Sequence, residues 1–277
     1  MNYTTRRTVI SSPGGPMKLL VLQPKGPAPA PGRTGVLWIH GGGYITGMPE
    51  MVYMSRAVDL VRHCGAVVVS PDYRLSGKAP YPASLMDCHS ALVYLKDHAA
   101  ALGVRDDQLM VGGESAGGGL AAALCLYERD RGGVRIAFQM PLYPMLDNED
   151  TETSRNNHAP VWNTRRNHYA WARYLRGVEG RVPAYAAPAR AEDCAGLPPA
   201  YTFVSTAEPF YAETLAYVRR LREAGVEATV DVYEGLFHAF DMLAPFLPVS
   251  RRAAAAFERR FESAARRYFA RQRDEQI

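Results

Sequence analysis

One serine stands in the run VGGESAGGGLAAALCLYE (111–128), with glycine at 112, 113 and 117–119 around it. Before it, QLMV (108–111) is a short apolar run of buried-strand type, and after it LAAALCLYERD (120–130) has helical character. Glycine inside a helix costs about 1 kcal/mol relative to alanine, so Gly117, Gly118 and Gly119 in a first turn need a local reason. A strand that turns abruptly into a helix through Gly113-Glu114-Ser115-Ala116-Gly117 supplies it. Such a turn strains Ser115 and demands small neighbours that clear the adjoining strand and helix. It also sets a hydroxyl nucleophile at a helix N-terminus, where backbone N–H groups can hold a developing oxyanion. The Gly-Lys-Ser/Thr ending of a phosphate loop is absent, and no G-x-G-x-x-G opens the first strand-to-helix turn.

A second glycine run, HGGGY (40–44), directly follows the apolar VLWIH. Successive glycines leave backbone amides uncovered and open to close approach. Alone this would pass as a flexible turn; paired with the serine turn downstream it reads as part of one site.

A hydroxyl nucleophile needs a base. Of seven histidines, His63, His89 and His98 fall inside helical patterns, His158 and His168 lie in a polar stretch, and His40 opens the glycine run as a structural hydrogen-bonding residue. His238, in YEGLFHAF, follows the last expected strand at the same end of the sheet as Ser115 and is the base candidate. The base in turn needs an acid to fix its tautomer and stabilise the imidazolium. Glu208, in TAEPF, sits just past the strand AYTFVS and gives the chain order Ser…Glu…His. Its rivals are Asp147, otherwise a loop cap, and Glu213, otherwise a charge on a solvated helix face.

These residues need a scaffold, and strand-like and helix-like segments alternate as in a parallel sheet covered by helices. TRRTVI and MKLLVLQP form two opening strands around SSPGGP; VLWIH (36–40) is a central strand. MVYMSRAVDLVRHCG (51–65) reads as a helix, AVVVS (66–70) as a strand, and Leu85, Cys88, Leu92, Leu95 and Ala99 as one apolar helix face. IAFQMPLYP (136–144) and AYTFVS (200–205) are further strands, followed by a helix from Phe210 to Ala224 and the strand EATVDVY (227–233). Between them, 147–183 breaks the pattern: NEDTETSRNNHAPVW is loop-like and NTRRNHYAWARYLRG is an amphipathic helix, so the stretch reads as an insertion over one end of the sheet. Its aromatics Trp162, Tyr169, Trp171 and Tyr174 could meet a substrate, although the helical spacing of Trp171, Tyr174 and Leu175 favours packing on the core.

The length suits one large α/β domain over 1–277. A formal charge of +4 is spread along the chain, and the final RRAAAAFERRFESAARRYFARQRDEQ (251–276) mixes Glu with Arg as a solvated amphipathic helix does. Nucleic-acid binding is therefore not expected. Cys64, Cys88, Cys125 and Cys194 show no C-x-x-C or metal spacing and read as free thiols of a reducing compartment. No apolar run is long enough for a signal peptide core or a bilayer span, so a cytoplasmic protein without membrane partners is expected.

Taken together, HGGGY, PDYRL…YP (71–82), GESAG, YPMLD, LPPAYTFVSTAEPF and FHAF resemble the hormone-sensitive-lipase-like family of bacterial carboxylesterases, from about residue 36 to the C-terminal helix. The resemblance implies an α/β-hydrolase fold, a mostly parallel central sheet flanked by helices, and ester hydrolysis without metal or cofactor. By position it implies Ser115 as nucleophile, His238 as base, Glu208 as acid and the N–H groups of Gly42, Gly43 and Ala116 as oxyanion hole. Tyr44, Trp162, Phe210 and Phe237, each beside one of these motifs, are candidate substrate contacts. Three features depart from the family: glutamate replaces the usual aspartate at 208, SGKAP follows PDYRL in place of a more acidic stretch, and a strand-like segment begins where relatives carry a helical one that helps build a cap. A reduced cap at 147–183 and a more open acyl site are then expected. The implied activity is a serine carboxylesterase acting on short- to medium-chain esters as a small-molecule substrate, with a homodimer left open. An amidase or peptidase using the same triad, or a silent ligand-binding member of the fold, is the alternative.

Overall fold

The computed structural model describes residues 2–273. A hairpin opens the chain: β1 (Tyr3–Ser12) and β2 (Gly15–Pro24) pair in register from Tyr3 opposite Pro24 to Ser12 opposite Gly15, about the Pro13-Gly14 turn. The remaining strands are β3 (Arg33–Ile39), β4 (Val67–Pro71), β5 (Val104–Glu114), β6 (Phe138–Leu142), β7 (Ala200–Ser205) and β8 (Ala228–Tyr233). They form one eight-stranded sheet in the order β1-β2-β4-β3-β5-β6-β7-β8. β2 pairs antiparallel with both neighbours and every other pairing is parallel.

Both faces of the sheet are covered at its inner strands, which is why β3, β4, β6 and β7 are near-continuous buried runs, while the edge strand β1 is largely exposed. The side chains alternate accordingly. Leu37, Ile39, Val67, Val69, Leu109 and Val111 face the layer of α2 (Ala83–Asp97) and α3 (Ala116–Arg131). Val36, Trp38, Val68 and Met110 face the layer of α1 (Arg56–Arg62) and α7 (Pro248–Arg267). Between these lie α4 (Thr164–Tyr174), inside the 147–183 segment, α5 (Tyr211–Glu223), which packs on α3, and the short α6 (Phe240–Leu243).

Two expected helices differ. The reading of 51–65 as one helix is corrected: a 3-10 turn at Pro49–Tyr53 is separated from α1 by Ser55, whose side chain accepts from the Ala57 N–H as an N-cap. The C-terminal helix stops at Arg267, because Tyr268 is extended and lays its ring on Phe138 at 5.3 Å. Residues 268–273 then run back along the sheet, with Ala270 N–H bonded to Asp107 O at 2.7 Å; 274–276 of that expected helix lie outside the described residues. The four cysteines are free, Cys64 half-buried and the others buried. Among the described residues no helix is long and apolar enough to cross a membrane.

Candidate active site

β3, β5, β7 and β8 all end at one edge of the sheet, and the loops leaving them carry the chemical groups. In a parallel α/β sheet this carboxyl edge is where ligands bind.

At the end of β5 the chain reverses into α3 through Ser115, whose φ of 57° and ψ of −120° are costly for a residue with a side chain. The conformation is held from three sides: Ser115 N–H donates to Leu142 O at 3.0 Å, and its carbonyl accepts from Gly119 at 2.9 Å and Met145 at 3.0 Å. The glycines have a measurable purpose. A Cβ on Gly117 would stand 2.0 Å from Ile39 O, and one on Gly119 would stand 2.2 Å from Met145 O. α3 can start this close to β3 and the β6 exit only because those side chains are missing.

His238 follows β8, and its Nε2 lies 2.8 Å from Ser115 Oγ. Its Nδ1 is hydrogen-bonded to Glu208 Oε2, which leaves Nε2 free to accept from the serine. Glu208 Oε1 accepts from the Ser205 N–H at 2.8 Å, so the carboxylate is pinned to the end of β7. All three side chains are buried, Ser115 being 6% exposed, His238 3% and Glu208 0%. Tyr143 and Phe210 each meet the His238 ring edge-on at 5.1 Å, and Trp162 lies 6.3 Å from it.

The glycine loop after β3 faces the same point. Gly42 and Gly43 have φ of 111° and 61°, and Gly42 O closes the loop by accepting from Ile45 and Thr46. Among the described residues no protein acceptor takes the Gly42 or Gly43 N–H, and the Ala116 N–H, first in α3, has no intrahelical partner. His40 shapes this loop from beneath. Its Nδ1 lies 2.8 Å from Gly41 O, its ring stacks on Tyr73 at 4.2 Å, and burial pushes its pKa down to about 4, keeping it neutral. The other histidines bond elsewhere: His63 to Glu258, His89 to Glu128, His98 to Tyr94, His158 to Asn156 and His168 to Asp150.

The structure thus brings Ser115, His238 and Glu208 together and sets the rivals apart. Asp147 caps the Glu149 N–H and pairs with Arg190. Glu213 is not the solvated charge its helix position suggests. It is buried, and its Oε1 accepts from Leu146 at 2.7 Å and Asp147 at 3.3 Å, tying α5 to the β6 exit. Burial raises its pKa well above the usual carboxylate range.

Two of the four candidate substrate contacts are corrected. Tyr44 is buried, stacked on Tyr174 at 3.9 Å, with its hydroxyl bonded to Met145 O; it braces the glycine loop against α4. Phe210 is fully buried and supports the His238 ring. Phe237 is partly exposed, with one side packed on the cluster between the sheet and the α1/α7 layer. Trp162 is also partly exposed, its ring so close to Gly43 that a Cβ there would stand 2.2 Å away. Trp162 and Phe210 both lie against the base. Trp171 and Tyr174 pack inward and Tyr169 is exposed. Ser205 was not anticipated: its N–H holds Glu208, while its Oγ donates to Leu236 O at 2.6 Å and accepts from the Leu236 N–H at 2.8 Å. One residue thereby fixes both the acid and the loop carrying the base, and a terminal polar residue on an apolar strand gives no signal of that.

Residues 36–242 match a family model described as the alpha/beta hydrolase fold. The esterase LipI of Mycobacterium tuberculosis is 32% identical over 261 residues, 88% of this chain and 77% of that protein. The chain belongs to the hormone-sensitive-lipase-like family of alpha/beta hydrolases. An acetyl-hydrolase of Streptomyces hygroscopicus is 32% identical over 84% of this chain and 77% of its own length. Among solved structures, a bacterial heroin esterase superposes with a TM-score of 0.89 at 32% identity, covering 95% of this chain and 84% of that one.

Proposed function

We propose that the protein is a serine carboxylesterase that cleaves short- to medium-chain esters through an acyl-enzyme. The observation that carries the reading is the continuous Ser115–His238–Glu208 hydrogen-bonded array beneath the Gly42–Gly43 amides; relatives named esterase and acetyl-hydrolase support it. His238 Nε2 takes the Ser115 proton as Oγ attacks the ester carbonyl. The oxyanion forms against the N–H groups of Gly42, Gly43 and Ala116, an interaction worth about 3 kcal/mol per donor in comparable sites. Glu208 stabilises the imidazolium, which protonates the departing alcohol. Water, deprotonated by the same imidazole, then attacks the acyl carbon and releases the acid. The 147–183 segment acts as a reduced cap, with Trp162 as its contact with the substrate. We place the enzyme in the cytoplasm, acting on soluble substrates.

Incubation with a para-nitrophenyl ester should add one acyl mass to the peptide containing Ser115 and release nitrophenol in a burst. Ser115→Ala should fold normally and lose at least a thousandfold in kcat. Turnover by pure Ser115→Ala near the wild-type rate would overturn the assignment.

A further inference from the structure

A cavity of about 620 Å³ opens against the oxyanion loop, bounded by Gly42 and Thr46 on one side and by Trp162, Arg165, Arg166 and Tyr169 of the 147–183 segment on the other. Gly42, one of the proposed oxyanion donors, lines the cavity, which therefore adjoins the reacting centre across the glycine loop and Trp162. Its far wall carries two guanidinium groups. Among the described residues neither has a carboxylate partner: Arg166 donates to Val161 O, and no ion pair involves Arg165. Three acids of the segment are engaged elsewhere, Asp147 and Glu149 with Arg190 and Asp150 with His168, and Glu152 lines a different cavity. Val161, which presents both Trp162 and that carbonyl, has a φ of 70°. This is unfavourable for a β-branched residue, and the Arg166 bond holds it in place.

We propose that this site is specific for esters carrying a carboxylate, received by Arg165 and Arg166 in this cavity. The inference rests on the esterase reading above and names its substrate class. Guanidinium forks suit planar carboxylates through charge-assisted hydrogen bonds. A concave wall made partly of Trp162, Ile45 and Tyr169 focuses their field more than an open helix face would. A substrate projecting past Trp162 therefore meets two arginines that have no ion-pair partner among the described residues, whereas an uncharged chain gains only the apolar wall.

The test compares para-nitrophenyl hydrogen glutarate with para-nitrophenyl pentanoate, which places the charge on the acyl side. Carboxyphenyl butyrate against phenyl butyrate places it on the alcohol side. In one of the two pairs the charged ester should have a kcat/KM about tenfold above its neutral partner, carried mainly by KM and shrinking as salt rises to about 0.5 M. That ratio should fall to about one in Arg165→Gln and invert in Arg165→Glu. Equal rates within both pairs, or a preference that survives Arg165→Glu, overturns the proposal. Calorimetric binding of the charged ester to Ser115→Ala separates this from the esterase reading. Binding that disappears in Ser115→Ala/Arg165→Glu supports the anion site even if no ester turns over, and its absence overturns the site even if neutral esters are hydrolysed.

Discussion

Ser115 occupies a backbone conformation that a relaxed chain would leave, and the three backbone hydrogen bonds around it replace what its own torsions lose. The side chain needs two further supports, a base and an acid, and Glu208 supplies the second with a longer reach than the aspartate usual in the family. Its Oε1 is anchored on the Ser205 N–H while Oε2 bonds His238, whose Nε2 stays 2.8 Å from Ser115 Oγ. Glu208→Gln should therefore fold, keep the Ser205 anchor, and lose about a thousandfold or more in kcat/KM, because an amide can offer its NH2 to the ring and favour the wrong tautomer. Glu208→Asp should lose less, retaining charge while shortening reach. Glu213→Gln, which preserves the acceptor for Leu146 and Asp147, should stay within a few-fold of wild type. Kinetics of these variants on one soluble ester decide the matter; a crippled Glu213→Gln beside an active Glu208→Gln would move the acid to α5. Ser115, His238 and Glu208 were legible because motif, chain order and strand ends converge on them. The burial of Glu213 was not, since its neighbours Leu146 and Asp147 lie far away in the chain and only the β6 exit brings them to α5.

At the scale of elements, the site depends on how closely α3 can approach β3. Gly117 sits where a side-chain carbon would lie 2.0 Å from Ile39 O, a backbone atom of a central strand that cannot yield. Helix propensity alone would make Gly117→Ala stabilising by about 1 kcal/mol. The steric argument gives the opposite sign, a loss of about 3 kcal/mol or more from overpacking, with activity falling as Ser115 is pushed from His238. Urea unfolding distinguishes the two, and a stabilised variant would show that α3 is not packed to its limit. The strands were largely readable from their apolar runs, and AYTFVS coincides with β7. Helix boundaries were less so. Apolar spacing across 51–65 continues through Ser55, whose capping bond to Ala57 is a matter of backbone geometry. Likewise nothing in ARRYFA marks a stop, because what ends α7 is the docking of Tyr268 on Phe138, a strand remote in sequence.

The molecule as a whole carries a buried charge cluster beneath the triad, between the sheet and the α1/α7 layer. Arg56, 7% exposed, lies 2.9 Å from Asp59 and 3.2 Å from Asp241, and Glu114 accepts from Trp38 Nε1 at 2.8 Å. One buried cation already faces Asp59 and Asp241, so a further negative charge is poorly compensated. Burial is the main cause, with the nearby Asp241 adding to it, of a Glu114 pKa raised to about 8. The consequence for stability has a definite sign. Below the ordinary glutamate pKa of about 4.3 both folded and unfolded chains hold this proton, and no pH dependence arises. As pH rises above that value the unfolded chain releases the proton while the folded one keeps it, so stability falls until the folded carboxyl ionises near pH 8. The total is on the order of several kcal/mol at one unit per 1.36 kcal/mol, lessened wherever the fold relaxes around the charge. Glu114→Gln keeps an oxygen to accept from Trp38 and removes the titration. Its melting temperature should match or fall slightly below that of the wild type near pH 5 and exceed it by several degrees near pH 8. Thermal unfolding of both proteins across that range measures the effect. A difference that stays constant from pH 5 to pH 8 would mean that Glu114 is already ionised in the fold, with Arg56 serving it as well as Asp241.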